Sequence, residues 1–360
     1  MDDGIELLRS NRDRLFELID QFSEATVLVV GDLTLDEFLN GEVERVSREA
    51  PVLILRHEET QQIPGGGANA VYNFARLGAT VKAVGLLGKD SQGQALLQLF
   101  EAAGIDTEGI VWDVDRPTVT KTRISGHARQ SVTQQIVRVD RKSNALPAIE
   151  LQQQLAAYIR DQIDQVDAIV CSDYGDGTLT QPVIEAALEH PRTIVDSQKQ
   201  IPRYQDAMIF TPNLPEAELA VGYAIEDAAS LSRAGRDLLR LTHAQYILIT
   251  RGERGMTLFD RSGNEDHIPA FNHTKVFDVT GAGDTVVAAL TLGLIAGATV
   301  WEAVILGNLA ASIVVRRFGT TTTTATEMKM ALETLVERSE QPLTVSNEFA
   351  SMQTKNAIAG

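Results

Sequence analysis

The chain has 360 residues, 44% hydrophobic and 22% charged, which is ordinary for a soluble globular protein and enough for one large α/β domain or two smaller ones. A formal net charge of −17 argues against nucleic acid or an anionic membrane as partner, and no run approaches the apolar length of a membrane span. Cys171 is the only cysteine and the six histidines lack ligand spacing, so disulfides and thiolate metal sites are excluded; with no signal peptide at the start, the expected compartment is the cytoplasm.

In chain order, Leu8, Leu15, Leu18, Ile19 and Phe22 fall at helical spacing and predict an N-terminal helix within residues 1–23 that packs onto the body. Short apolar runs then alternate with helical patterns. Val27–Val30, Val81–Leu87, Asp167–Cys171, Thr193–Val195, Ala207–Phe210 and Tyr246–Ile249 read as strands. Between them Ala68–Leu77, Gln92–Ala103, Glu150–Gln165, Pro182–Glu189, Leu214–Val221 and Ala228–Leu241 read as helices. That alternation predicts an α/β fold, a mostly parallel central sheet with helices on both faces, and places ligands at the carboxyl ends of the strands. Val43–Arg56 and Thr118–Val139 break the pattern: they are rich in β-branched residues with no helix between the strand-like pieces. They predict antiparallel strands set apart as a small β lid, from about 41–57 and 117–140, on a domain spanning 24–340. Its exposed edges would suit a homodimer. The polar tail, 341–360, is expected to be flexible.

The richest stretch is Asp278-Val-Thr280-Gly281-Ala282-Gly283-Asp284-Thr285, running into the apolar Val286–Ile295. Small residues at the start of a buried helix leave unpaired N–H groups at the positive end of its dipole, an anion site. A carboxylate there repels anions unless it takes a proton from an attacking hydroxyl, and an anion hole with a base is the minimum for phosphoryl transfer to an alcohol. The simpler alternative is a glycine turn whose Asp284 caps a helix.

Other groups gather at predicted strand ends. Asp32 and Asp36 flank the loop after the first strand, where they can accept hydrogen bonds from sugar hydroxyls or act as a cap and a surface acid. Gly65-Gly66-Gly67-Ala-Asn69 opens a helix; it imitates a dinucleotide fingerprint, but the polar Glu58–Ile63 before it is no buried strand. Gly85–Asp90 lacks the spacing of a phosphate-binding P-loop. Asn213 and Glu216, three apart, suit either a helix cap or a water-mediated magnesium site. Thr250, Gly252 and Gly255 mark a turn where a nucleotide can lie. An acidic protein that binds ATP needs placed cations, and Lys121, Arg123 and Arg138 are the candidates.

Taken in order, Gly31-Asp32…Asp36, Pro64-Gly-Gly-Gly-Ala-Asn69, Leu77-Gly78, Gly85…Gly88…Asp90, Thr211-Pro-Asn213…Glu216 and Asp278…Gly281-Ala-Gly-Asp284 resemble the ribokinase (PfkB) family of carbohydrate kinases, over about residues 24 to 325. The resemblance implies a ribokinase-like fold, ATP and Mg2+ as cofactors with K+ in the wider family, and a sugar or sugar phosphate as the other substrate. Arg45-Val-Ser…Glu49-Ala-Pro-Val52, Thr120-Lys-Thr-Arg123, Gln134-Gln-Ile-Val-Arg-Val-Asp140, Ser172-Asp-Tyr174 and Thr211-Pro-Asn-Leu-Pro-Glu216 are similar to the heptose-7-phosphate kinase branch. That branch phosphorylates C1 of D-glycero-D-manno-heptose 7-phosphate on the way to ADP-heptose. Many of its members carry a following nucleotidyltransferase domain, and the length of this chain implies the stand-alone kinase form.

By this resemblance Asp284 is the catalytic base and Gly281, Ala282 and Gly283 form the anion hole. Asp32, Asp36, Gly66, Asn69, Lys121 and Arg138 face the sugar phosphate. Asn213 and Glu216 order magnesium; Asn213, Thr250, Gly252, Gly255 and Asn308 line the nucleotide; a monovalent cation sits near Asp278 and Thr280. Two departures from the branch stand out. Asp196-Ser-Gln-Lys199 replaces the usual Asp-Pro-Lys, which displaces the lysine, and the segment between Arg123 and Gln134 is longer. The alternatives are a kinase of another sugar, such as a ketose, ribose or a nucleoside, and a non-catalytic sugar- or nucleotide-binding protein.

Overall fold

The computed structural model describes residues 2–128, 133–271, 278–317, 319 and 321–338. The expected tail 341–360 and part of the long segment before Gln134 lie outside the described residues. Two helices open the chain, α1 (Asp2–Ser10) and α2 (Arg12–Asp20), where the sequence predicts one. The break falls at Asn11, whose side-chain amide donates to the Leu7 carbonyl while its own carbonyl caps the next turn. Leu8, Leu15, Leu18, Ile19 and Phe22 are buried, as their spacing requires.

Strand β1 (Thr26–Gly31) leads through the single residue Asp32 into β2 (Leu33–Val46), which turns back as β3 (Leu53–Gly66). Then come α3 (Gly67–Leu77), β4 (Thr80–Gly88), α4 (Ser91–Ala102) and β5 (Asp106–Asp113). A second excursion forms β6 (Val119–His127) and β7 (Gln134–Arg141). The chain continues as α5 (Ile149–Gln162), β8 (Ala168–Asp173), α6 (Gln181–Leu188), β9 (Thr193–Ser197), β10 (Ile209–Phe210), α7 (Leu214–Val221) and α8 (Ala228–Thr242). It ends as β11 (Tyr246–Thr250), β12 (Met256–Asp260), β13 (Glu265–Ile268), α9 (Ala282–Ile295), α10 (Val300–Val314) and α11 (Ala325–Arg338).

The main sheet runs β13-β12-β11-β10-β9-β8-β1-β4-β5. It is parallel from β11 through β5, with the β12–β13 hairpin added antiparallel at one edge. One apolar core, from α1–α4 and α9–α11, covers one face; a second, from α5–α8, covers the other. Strand order reverses at β1, between β4 and β8, so the crevice at their carboxyl ends is the natural ligand position of an open α/β sheet. Asp32 and the segment after Asp173 sit there.

The lid is a separate sheet in the order β3-β2-β6-β7. It starts earlier than the sequence suggests, because β2 begins at Leu33 and carries Asp36 within a strand, not beside a loop. It is also mixed: β2 pairs with β3 and β6 with β7 in antiparallel fashion, but β2 and β6 run parallel from Thr34↔Val119 to Glu42↔His127. The reason is topological. The chain returns to the main sheet between the excursions and re-enters the lid from the same end.

Candidate active site

Asp284 stands in the first turn of α9, whose body is buried from Asp284 through Leu294. Gly281 caps that helix with φ 76°, a left-handed conformation that favours glycine. The Ala282 N–H closes a turn onto the Val279 carbonyl at 3.2 Å. Among the described residues the N–H groups of Gly283 and Asp284 have no protein acceptor, and a Cβ built on Gly283 meets nothing within 4 Å. The start of α9 thus carries two N–H groups without an acceptor among the described residues, the arrangement that suits an anion.

The Asp284 carboxylate is 3% exposed. Asn69 Nδ2 on α3 donates to its Oδ2 at 2.6 Å, and the Tyr174 hydroxyl donates to Oδ1 and Oδ2 at 3.2 and 3.3 Å. Burial pushes its pKa up to about 7, against the opposing pull of Asn69, Tyr174 and the Lys121 ammonium. A carboxylate poised near neutrality suits general-base work. Asn69 is held in turn: Asn73 Nδ2 donates to its carbonyl at 2.9 Å and its Oδ1 at 3.3 Å, and Thr285 Oγ1 donates to Asn73 Oδ1 at 2.8 Å. These buried amides link α3 to α9 and hold the Asn69 side chain against Asp284.

The glycines of the 65–67 motif are required by the chain itself. A Cβ on Gly65 would lie 2.6 Å from Asp36 Cγ, one on Gly67 2.8 Å from the Asp32 nitrogen, and Gly66 adopts φ +52° beside Thr34. They let the root of the lid press against the start of α3. The Asp36 carboxylate, 4% exposed, lies there 2.9 Å from Arg123, and its Oδ1 lacks an aligned hydrogen bond. The Arg123 charge thus faces that same buried oxygen without satisfying it as an aligned hydrogen bond.

Asp32 serves the loop after β8. Its Oδ2 accepts the N–H of Tyr174 and Asp176, both at 2.9 Å, and its Oδ1 accepts the N–H of Thr178 at 2.8 Å. Burial raises its pKa, with Asp173 and Asp176 adding to the rise and the backbone donors offsetting it. Little acceptor capacity is left for a hydroxyl. Lys121 Nζ sits 5.3 Å from the Tyr174 ring centroid, at the same place. Arg138 departs from expectation: its guanidinium is bidentate to Asp140 at 2.7 and 2.6 Å on the exposed strand β7. Tyr174 is the site residue to which sequence reasoning gave no role; the signal available was the Ser172-Asp-Tyr174 segment at a strand end.

On the opposite side of the cleft, Asn213 and Glu216 form a capping box on α7, with each side chain accepting the other's backbone N–H at 2.9 Å. Burial raises the Glu216 pKa, and its field reaches Tyr174 and Asp196. Asp196, at the end of β9, is pushed well above the ordinary carboxylate range by burial and by Asp284, Glu216 and Asp173. Among the described residues no three His, Cys, Asp or Glu side chains converge to grip a metal directly. A few acidic groups with unused oxygens suit magnesium that keeps its waters and arrives on a nucleotide.

Thr250 bridges to Asn213, and Gly252 has open space where a Cβ would be. Gly255 and Asn308 also have contacts within the protein: a Cβ on Gly255 would lie 2.0 Å from the Ile268 carbonyl, and Asn308 Nδ2 donates to the Pro269 carbonyl at 2.7 Å. Asp278 closes a turn, its Oδ1 accepting the N–H and hydroxyl of Thr280 at 2.9 and 2.7 Å and its Oδ2 the Gly319 N–H at 3.1 Å. A cation near Asp278 and Thr280 would therefore meet a carboxylate whose two oxygens are both engaged.

A buried carboxylate with a raised pKa beside unpaired N–H groups at a helix start, near the switch point of a parallel sheet, suits a small-molecule kinase. The comparisons agree and narrow the class. The chain belongs to the pfkB family of carbohydrate kinases, whose family model matches residues 24–327, and it is a sugar kinase. It is 39% identical over 341 residues to the bifunctional protein HldE of Desulfatibacillum aliphaticivorans, covering 93% of this chain and 67% of that one. It is 40% identical over 324 residues to the bifunctional protein HldE of Pelobacter propionicus, covering 88% of this chain and 65% of that one. It thus spans about two thirds of these relatives. Among solved structures, phosphofructokinase-2 from Escherichia coli in complex with potassium superposes with TM-score 0.69 at 20% identity, covering 86% of this chain and 99% of that chain. Arabidopsis thaliana ribokinase complexed with ribose and ATP gives 0.66 at 19% identity, covering 87% and 99%. The fold is therefore ribokinase-like. No helix among the described residues is long and apolar enough to cross a membrane.

Proposed function

We propose that this kinase transfers the γ-phosphoryl of ATP to C1 of D-glycero-D-manno-heptose 7-phosphate, giving the 1,7-bisphosphate. The observation that carries the chemistry is the buried Asp284 carboxylate, with pKa about 7, beside the Gly283 and Asp284 N–H groups, which have no acceptor among the described residues. Asp284 takes the hydroxyl proton as the acceptor oxygen attacks γ-phosphorus, the bond from phosphorus to the bridging oxygen breaks, and ADP leaves. A base in this role contributes about 10²–10⁴ in rate, and each well-placed donor on the phosphoryl oxygens about 3 kcal/mol. Magnesium carried on the nucleotide neutralises phosphate charge, and Asn213, Glu216 and Asp196 are the residues that would hold its waters. Potassium remains part of the proposal only through the 278–280 turn.

The heptose assignment draws support from the similarity to the HldE proteins and from the segments around Arg45, Lys121 and Gln134. One observation favours a second reading, an unphosphorylated sugar. Arg123 and Arg138 are ion-paired with Asp36 and Asp140, which leaves Lys121 as the expected phosphate ligand without an ion-pair partner among the described residues. We also infer a homodimer through the lid, whose strands expose Val46, Leu53, Ile136, Val137 and Val139. ATP turnover against free and phosphorylated sugars tests the substrate. Preference for heptose 7-phosphate upholds the first reading, and activity on free sugars alone replaces it with the second.

A further inference from the structure

The Tyr174 side chain makes a contact that the reaction as described leaves unused. Its hydroxyl lies 3.2 and 3.3 Å from the two Asp284 oxygens, straddling the carboxylate, whereas Asn69 holds Oδ2 alone. One donor fixes an oxygen; the second fixes the plane. A tyrosine on a loop would ordinarily move, but this loop is tied down. The Tyr174 N–H is bound by Asp32, which also binds Asp176 and Thr178, and the Gly175 N–H is bound by Asp173 at 2.9 Å. Lys121, 5.3 Å from the ring centroid, draws on the π face and makes the hydroxyl a better donor.

We propose that Tyr174 is a positioning residue of phosphoryl transfer: its hydroxyl aims the Asp284 carboxylate and favours its ionised form, and Asp32 holds Tyr174 in place to do so. The proposal rests on the reading of Asp284 as the base. The groups facing Asp284 are Asn69 from α3, Tyr174 from the loop after β8, Lys121 from β6, Asp36 from β2 and Asp196 from β9. Asn69, Tyr174 and Lys121 favour the carboxylate, while burial and Asp36 oppose it. Burial and Asp284 also push the Tyr174 phenol well above its ordinary pKa, so it stays a donor throughout the working range.

The test is the pH profile of kcat/KM for Tyr174→Phe, with ATP and the best acceptor, beside Asp284→Asn and the wild type. Loss of one long, shared, charge-assisted hydrogen bond should move the acid limb to higher pH by about one pH unit, a tenfold loss of rate at a fixed pH below it. Activity should recover at alkaline pH. Incorporation of 3-fluorotyrosine at position 174 keeps the ring and hydroxyl but strengthens the donor, and should move the limb the opposite way. This second variant serves if the phenylalanine variant folds poorly. A merely structural role moves neither limb. Coincident profiles for all Tyr174 variants, with Asp284→Asn inactive, overturn the role given to Tyr174. An Asp284→Asn variant that keeps its turnover overturns the base reading beneath it.

Discussion

Replacing Asp284 by asparagine separates chemistry from folding, because the same burial affects both. The carboxyl pKa rises from 3.8 in an exposed chain to about 7 in the folded protein. At about 1.4 kcal/mol per pH unit, ionised Asp284 costs the folded state about 4 kcal/mol at alkaline pH. The sign follows from proton counting. Between pH 3.8 and about 7 the native state holds a proton that the unfolded chain has released, so stability falls as pH rises through that window and levels off above it. The substituted amide would keep an oxygen for the Asn69 side chain and offer its N–H to the Tyr174 hydroxyl oxygen, but it has no charge to desolvate. The expected result is a variant that binds ATP and sugar yet loses about 10²–10⁴ in kcat. Its stability relative to wild type should improve by about 3 kcal/mol between pH 5 and pH 8. Steady-state kinetics with urea unfolding at both pH values measures the pair. A stability difference independent of pH would refute the burial argument, and near-normal kcat would refute the base.

Lys121→Ala should raise KM at least tenfold for a phosphorylated acceptor and leave KM for ATP near wild type; equal effects on free and phosphorylated sugars would remove the phosphate role. Gly65→Ala sets a methyl against the Asp36 carboxylate and should cost about 1–3 kcal/mol, read as a lowered Tm, with a higher KM for the sugar. Asn73→Ala removes the buried link between α3 and α9 and should cost about 1–3 kcal/mol, with kcat falling as Asn69 loosens. Glu216→Gln should raise the magnesium concentration needed for half-maximal rate, and an unchanged magnesium titration would assign Glu216 to its helix cap alone.

Much of the architecture is legible because burial leaves a periodic trace. The strands β1, β4, β8, β9 and β11 are short apolar runs, and α3 and α8 are amphipathic with the expected stripe. What escaped had no such trace. The helix α10 (Val300–Val314) is apolar nearly all round, so it shows no helical period, and β13 is four mostly polar residues at a sheet edge. At the site, Asp284 and its glycines were readable from residue type and spacing. The pairing of Tyr174 with Asp284 was not, since it joins residues far apart in the chain through a fold that must exist first. Likewise the contacts that Asp32, Asn69, Gly255 and Asn308 make within the protein are visible only once the chain has folded.

The parallel pairing of β2 with β6 also bears on how the protein acquires its site. Thr34 meets Val119 only after β4, α4 and β5 have been laid down between them. Closing so long a loop for one pair of strands is unfavourable until the intervening elements are already packed. The lid should therefore be a late unit of assembly and an early one to come apart. Hydrogen exchange would then find its amides less protected than those of β1 and β8, and heat or denaturant should abolish sugar binding before the central sheet melts.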